Sequence, residues 1–330
     1  NLVTKTKHIH CMIQRMSILL CNAFSLFLML THDSSEAFFT NSDVRRRCTS
    51  AIQQTTVPLQ EVKLLSSPMQ VYIEDTDAYG VVYNANYIRS YERALYSFGK
   101  SNPGVSNFLS TDNWSIMKVN TQRFKKANRL GGRFLVTGTR KCVSQAEEIW
   151  EMEIIDETNG AVFNSALISI GYELPYMPPI TPSIKNLPTL DERFVLHRDE
   201  FDLHLSERIP LRNVMNPFER ARSNSLGGPD ILRLLQERDG KIFVVISIDE
   251  ASLVRNDAAL CGPGTEVIVR TSIQLKRRGI MQFFHTLCAE DSSGNYLRVA
   301  QAIVVLMTLD ASTKQPTSIP EWMTKKFQCD

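Results

Sequence analysis

Val71-Tyr-Ile-Glu-Asp75-Thr-Asp77-Ala-Tyr-Gly80-Val-Val-Tyr-Asn84-Ala-Asn-Tyr87, continuing to Tyr91-Glu92-Arg93-Ala94, is the stretch that decides how this 330-residue chain is read. Val71–Glu74 predicts a short strand, and Asp77 falls in the turn after it. Gly80 permits a tight backbone, and Val81 and Val82 are apolar. A helix then opens near Asn84, with Tyr87, Ile88, Tyr91, Leu95 and Phe98 at helical spacing until Gly99 and Pro103 end it. The first N–H groups of a helix lack intrahelical acceptors and can polarise a carbonyl. A carboxylate on the other side can attack that carbonyl or activate water. For a thioester this is enough chemistry, because the thiolate leaves readily and no histidine or metal is required. The competing role for Asp77 is that of an ordinary turn or helix-capping aspartate.

Outward from this stretch the pattern changes to strands at Trp114–Phe124, Arg133–Val143, Glu148–Ile155 and Ala161–Tyr172. Trp150, Met152 and Ile154 alternate with Glu151 and Glu153, as in a sheet with one wet face. Five prolines between 173 and 190 (Pro175, Pro178, Pro179, Pro182 and Pro188) predict a semi-rigid connection. The order then returns. A strand is expected at Glu200–Leu205, and a helix with Asn216 as N-cap and Pro217 as first residue, running through Leu235 with a break at Gly227–Gly228. Strands follow at Ile242–Ile248, Thr265–Leu275, Met281–Ala289 and Tyr296–Leu309. At an offset of 127, Asp75, Asn86, Glu92, Arg93 and Ala94 match Asp202, Asn213, Glu219, Arg220 and Ala221, which predicts a duplicated domain. The same offset sets His204 against Asp77, Glu207 against Gly80 and Leu211 against Asn84. No D-x-x-G-x-V exists in residues 198–225, so the second copy reads as a non-catalytic partner.

Composition narrows the class. The chain is 43% hydrophobic and 22% charged, with a formal charge of +2, as in ordinary globular proteins. Residues 1–67 hold seven Lys/Arg against four acids, which leaves the rest near neutral, without the field of a generic nucleic-acid binder. Seven scattered cysteines with no C-x-x-C argue against a disulfide scaffold or a structural zinc site. No G-x-S-x-G elbow, H-E-x-x-H or phosphate loop is present. One run does stand out: Arg123, Lys125, Lys126, Arg129, Arg133, Arg140 and Lys141 put seven bases and no acid into residues 123–141. It reads either as a solvated hairpin or as a surface for phosphates or an acidic carrier. Lys276, Arg277 and Arg278 suggest the corresponding turn of the second copy.

The N-terminal region reads as an address. Ser17–Leu30 is a fourteen-residue apolar run behind Arg15, too short to span a bilayer comfortably but suited to a signal peptide. Phe38 follows Ala37, and Arg45–Arg47 lie in a hydroxyl-bearing stretch. The layout resembles the bipartite leaders of algae with secondary plastids, with secretion or membrane anchoring as alternatives. The chain opens on Asn1, and Met12 or Met16 would make a better initiator. No later segment offers eighteen uninterrupted apolar residues.

Asp75-Thr76-Asp77-Ala78-Tyr79-Gly80-Val81-Val82-Tyr83, with Tyr87 and Glu92-Arg93 behind it, closely resembles the signature of hotdog-fold acyl thioesterases. The match is to the 4-hydroxybenzoyl-CoA thioesterase-like and acyl-CoA thioesterase branch, here in tandem form. It covers about 68–175 well and 198–310 weakly. The resemblance implies an α+β fold of two tandem hotdog domains, each a long helix wrapped by antiparallel sheet, paired as an internal pseudo-dimer. Its boundaries would be a leader over 1–67, domain 1 over 68–175, a linker over 176–197, a degenerate domain 2 over 198–312 and a tail over 313–330. Carried over residue by residue, Asp77 is the catalytic aspartate, and Asn84 offers its backbone N–H to the thioester carbonyl. Tyr79, Gly80, Val81, Val82 and Tyr83 line the substrate site, and Lys125 and Lys126 serve the carrier or coenzyme. Asp75, Asn86, Glu92 and Arg93 are structural, the last two as a helix–sheet or interface ion pair. The implied activity is hydrolysis of acyl-CoA or acyl-carrier-protein thioesters, with no cofactor, no metal and no nucleic-acid partner, and a further homo-oligomer left open. An aromatic acyl-CoA thioesterase (dihydroxynaphthoyl-CoA type) and a non-catalytic acyl-binding hotdog protein are the alternatives.

Overall fold

The computed structural model describes residues 61–77, 80–111, 113–172, 179–180, 187, 189–201, 209–254, 261–277 and 279–327. The leader expected over the first sixty residues lies outside them, as do Tyr79, His204, Glu207 and Arg278.

Two copies of one plan follow each other. The first has β1 (Lys63–Leu65), β2 (Met69–Gln70), a 3-10 turn at Ile73–Asp75, the long helix α1 (Asn84–Ser101), then β3 (Ser115–Phe124), β4 (Arg133–Val143), β5 (Glu147–Asp156) and β6 (Val162–Gly171). The second has β7 (Thr189–Val195), a 3-10 turn at Arg198–Glu200, α2 (Leu211–Leu226), α3 (Gly228–Asp239), β8 (Lys241–Leu253), β9 (Glu266–Arg277), β10 (Ile280–Glu290), β11 (Tyr296–Asp310) and the short α4 (Glu321–Phe327).

All strands join one antiparallel sheet in the order β1-β4-β5-β6-β3-β8-β11-β10-β9-β7, with β2 also on β4. The copies meet where β3 pairs β8, from Lys118 opposite Ser252 to Arg123 opposite Ser247. Ion pairs reinforce that seam: Lys118 Nζ to Glu250 Oε2 at 2.8 Å, and Arg123 Nη1 to Asp249 Oδ1 at 2.5 Å. Arg212 of α2 also bonds Glu92 of α1.

Each sheet half curls around its helix. Tyr87, Ile88, Tyr91, Ala94 and Leu95 turn one face of α1 into the core, against Trp150, Met152 and Ile154 of β5, while Glu151 stays exposed. Close approach shapes the far end of α1, where a Cβ on Gly99 would meet the Leu109 carbonyl oxygen at 2.3 Å. Only glycine fits there.

Three expectations are corrected. Val71–Glu74 is not a strand. Asp75 Oδ2 accepts the Tyr72 N–H at 3.0 Å, and this local bond curls the chain into a 3-10 turn. Glu200 does the same in the second copy, accepting the His197 N–H at 2.8 Å, so a 3-10 turn ends where the strand from Glu200 was expected to begin. The second helix starts at Leu211, not at Pro217, which lies inside it. An interior proline costs about 3 kcal/mol, and the buried stripe of Leu211, Val214, Met215, Phe218 and Ala221 offsets it. Structure is also present in the flanking segments. β1 pairs with β4 ahead of residue 68, β7 pairs with β9 inside the expected linker, and Met323 and Phe327 of α4 are buried beyond residue 312.

Candidate active site

The site is built by zipping two loops together at the mouth of the first copy. Strand β2 sets Met69 opposite Phe134 and Gln70 opposite Arg133. The pairing continues as the Val71 N–H bonds the Gly132 carbonyl at 2.9 Å and the Gly131 N–H bonds the Val71 carbonyl at 3.0 Å. Further along, the Leu130 N–H reaches the Gly80 carbonyl at 3.1 Å, and the Val82 N–H reaches the Asn128 carbonyl at 2.9 Å. The loop bearing Asp77 is therefore held on both sides.

Within that loop the Asp77 N–H donates to the Val81 carbonyl at 2.8 Å, and Asp77 Oδ1 accepts the Val81 N–H at 3.2 Å. Gly80 closes the turn at φ +68°, a left-handed value that a side chain resists. Asp77 stays exposed at the loop tip. Its negative charge acts on Tyr87, whose hydroxyl is pushed up to about 12, first by burial and then, against the Asn128 N–H bond, by that carboxylate. The Asp77 carboxylate thus lies within electrostatic reach of the Tyr87 hydroxyl.

Asn84 is the first residue of α1, with Tyr83 as N-cap and no side-chain cap bond. The Asn86 N–H bonds the Tyr83 carbonyl at 2.9 Å. The N–H groups of Asn84 and Ala85 precede any intrahelical acceptor. Asn84 Oδ1 is buried without a hydrogen-bond partner among the described residues. Asp75 is a scaffold residue: its carbonyl accepts the Tyr83 N–H at 2.9 Å and Asn86 Nδ2 at 3.0 Å, which ties the loop to the helix.

Gly80, Val81, Val82 and Tyr83 lie between Asp77 and the helix start. Tyr83 also looks across the seam. Burial raises its hydroxyl pKa against the charges of Arg222 and Arg220 on α2. Arg222 is buried, paired with Glu219, and lowered to about 10 by that burial. Lys125 and Lys126 lie at the end of β3, where both N–H groups bond the Phe163 carbonyl, and Lys126 Nζ sits 5.7 Å over the Phe163 ring.

The basic run is not one patch. Arg123 bonds Asp249, Arg133 bonds Glu157 at 2.6 Å, Arg140 approaches Glu148 at 3.6 Å, and Lys141 bonds Glu151 at 2.5 Å. Sequence offers no sign of these acids, which come from other strands or, for Glu157, from the turn after β5. Nor are Lys276 and Arg277 the counterpart of the β3–β4 turn, because they close β9 ahead of β10. Asn128, buried behind the loop with Oδ1 accepting the Arg129 N–H at 2.9 Å, is a site residue that sequence reasoning passed over. The only signal was its turn-like setting, Asn128-Arg-Leu-Gly131-Gly132.

The second copy shares the scaffold but shifts the numbering. Asn213 Nδ2 bonds the Glu200 carbonyl at 2.7 Å, as Asn86 bonds that of Asp75. Glu200, and not Asp202, therefore occupies the place of Asp75, while Leu211 and Asn84 both open their helices. The intervening segment is two residues longer, which a fixed offset of 127 conceals.

No protein-family model matches the chain, and no curated protein does. Solved structures do. A Lactobacillus plantarum protein described as an oleoyl thioesterase superposes with a TM-score of 0.57 at 10% identity, over 77% of this chain and 99% of its own. An acyl-ACP thioesterase from Bacteroides thetaiotaomicron gives 0.52 at 10% identity, over 74% and 97%. The 12:0-ACP thioesterase from Umbellularia californica gives 0.51 at 11%, over 78% and 94%. The fold is a tandem hotdog. In hotdog terms the described site belongs to the first domain, with the helix of the second domain across the seam.

Proposed function

We propose that this tandem hotdog protein is an acyl thioesterase, hydrolysing acyl-CoA or acyl-carrier-protein thioesters to a free acid and a thiol. One observation carries the reading. An exposed carboxylate, Asp77, is fixed on a clamped loop by its bonds to Val81, three residues before α1 opens at Asn84, and the N–H groups of Asn84 and Ala85 are available to an oxyanion. Asp77 takes a proton from water, whose oxygen adds to the thioester carbonyl; on the other route its carboxylate adds to the carbonyl itself, the thiolate leaves, and water then hydrolyses the acyl-aspartyl anhydride to the free acid and Asp77. The charge that develops on the carbonyl oxygen is stabilised by the helix N-terminus. When the intermediate collapses, the C–S bond breaks and the thiolate leaves with the proton. Gly80, Val81, Val82 and Tyr83 form the walls of the strip, and Lys125 and Lys126 meet the anionic carrier. The second domain serves as a tethered partner, which raises its effective concentration at the seam.

The catalytic domain on this reading spans about 68–175, the partner domain 198–312, and the leader directs the chain to a plastid. The test is thiol release by the full chain with aliphatic and aromatic acyl-CoAs and acyl-carrier proteins. Release of thiol from any of them supports the reading. Silence on every substrate, with ligands still bound, would favour an acyl-binding module instead.

A further inference from the structure

The sheet has two ends, and they are built differently. At one end β1 is three residues long and opens on Lys63. At the other, β7 runs for seven residues, Thr189-Leu-Asp-Glu-Arg-Phe-Val195, and among the described residues it pairs only with β9. The Leu196 N–H bonds the Thr265 carbonyl at 2.9 Å, and the Leu196 carbonyl accepts the Gly264 N–H at 2.8 Å. Leu196 therefore faces β9, and by alternation so do Phe194, Glu192 and Leu190. Thr189, Asp191, Arg193 and Val195 turn their N–H and C=O groups away from the sheet. A short edge with a lysine is protected against further pairing, whereas a long open one is a template for it.

The order of residues in β7 makes this edge complementary to itself. In an antiparallel pairing about a two-fold axis at Glu192, Asp191 falls opposite the partner's Arg193. Leu190 falls opposite the partner's Phe194, and Thr189 opposite the partner's Val195. Moving the axis to a neighbouring residue sets Asp191 or Arg193 against itself. The outer face extends the match, because Asp191 Oδ2 bonds Arg270 Nε at 3.3 Å and Arg193 bonds Glu266 and Tyr296. Two joined copies would carry a row of alternating sign: Glu266, Arg193, the partner's Asp191, the partner's Arg270. Exposed pairs of this kind add little energy but fix register. Leu190 is 41% exposed and Val195 47%, apolar surface that the pairing covers. Glu192 is the single mismatch, two carboxylates meeting at the axis. Asn224 Nδ2 of α2 bonds it at 3.1 Å and draws it toward the helix.

We propose that β7 pairs with β7 of a second copy of this chain, antiparallel about Glu192, so that one sheet runs through both molecules. A two-fold contact closes at a dimer, and the short β1 edge gives a third copy little to extend. The inference stands apart from the thioesterase reading, since it uses no residue of that site.

The experiment is sedimentation equilibrium of the full chain over a concentration series, with Asp191→Lys, Arg193→Glu, an equal mixture of those two, and Glu192→Gln. Asp191→Lys sets a base against Arg193 at both ends of the contact, and Arg193→Glu sets an acid against Asp191. Each should weaken the dimer about tenfold or more. In the mixture each variant supplies the charge that the other lacks, so a mixed dimer should form with nearly wild-type strength. Glu192→Gln removes the repulsion at the axis, keeps an acceptor for Asn224, and should tighten the dimer about threefold. A wild type that stays monomeric overturns the proposal. Association that both single variants leave intact, through the N-terminal region or any other face, overturns it too. So does a mixture of weakened variants that fails to associate, because local damage would then explain each loss.

Discussion

The two repeats hold their helices in the same way and equip them differently. In the first, Asp75 accepts the Tyr72 N–H and its carbonyl takes Asn86 Nδ2; in the second, Glu200 accepts the His197 N–H and its carbonyl takes Asn213 Nδ2. Two residues beyond Asp75 stands Asp77, and two beyond Glu200 stands Asp202. A carboxylate alone therefore does not distinguish the copies. The first has Gly80 at φ +68°, which closes a short loop against α1. The second has Leu205 at the matching count and two more residues before its helix. On the proposed reading the turn, more than the acid, sets the two copies apart.

The interiors diverge as well. Met152 in β5 faces Gly138, whereas His285 in β10 faces Thr271 and bonds it through Nδ1 at 3.0 Å. Tyr91 of α1 bonds Asn164 at 2.6 Å, and Phe218 of α2, at the matching position, stacks on His285 with ring centroids 5.1 Å apart.

Breaking the contact between the copies should have the largest effect on stability. Arg212→Met removes the Arg212–Glu92 bond at the seam and should cost about 2 kcal/mol in urea unfolding, below the full cost of a buried pair because both side chains keep some solvent contact. An unchanged midpoint would mean that the helices do not rely on this pair. Gly80→Ala is next: the left-handed backbone makes a side chain cost about 1 kcal/mol, and turnover should fall further than stability does. If activity is untouched, loop geometry is not what separates the repeats. Tyr91→Phe should cost about 1 kcal/mol, since Asn164 Oδ1 keeps its bond from Gln122 Nε2 at 3.0 Å.

The smallest effect at neutral pH concerns His285. Burial, reinforced by the Arg222 charge, holds its pKa well below the usual histidine value. Below about pH 6.5 the unfolded chain binds a proton that the folded chain refuses, so this residue makes stability fall as pH drops. His285→Met, which copies the first repeat, should flatten that acid limb. A slope identical to wild type would show that the proton is taken up elsewhere.

Much of this could be read in advance. Strands β3 to β6 and β8 to β11 fall within a few residues of the alternation at Glu148–Ile155 and its neighbours, because a half-buried sheet writes its period directly into the chain. The Asp77–Gly80–Asn84 spacing was legible for the same reason, being local. What was missed depended on partners distant in sequence. Pro217 looked like a helix start because propensity does not reveal that Leu211 and Val214 are buried. The basic run looked like a patch because Asp249, Glu148, Glu151 and Glu157 reach it from other strands or the turn after β5. The two-residue shift between repeats came to light only through the paired bonds of Asn86 and Asn213.

The central claim is that chemistry belongs to the first repeat, through Asp77. The direct measurement is thiol release from one acyl-carrier-protein thioester by Asp77→Asn and Asp202→Asn, run side by side with thermal unfolding. The account predicts a loss of several orders of magnitude for Asp77→Asn at nearly unchanged thermal stability, and turnover within about twofold of wild type for Asp202→Asn. Full activity in Asp77→Asn, or a large loss confined to Asp202→Asn, would contradict it.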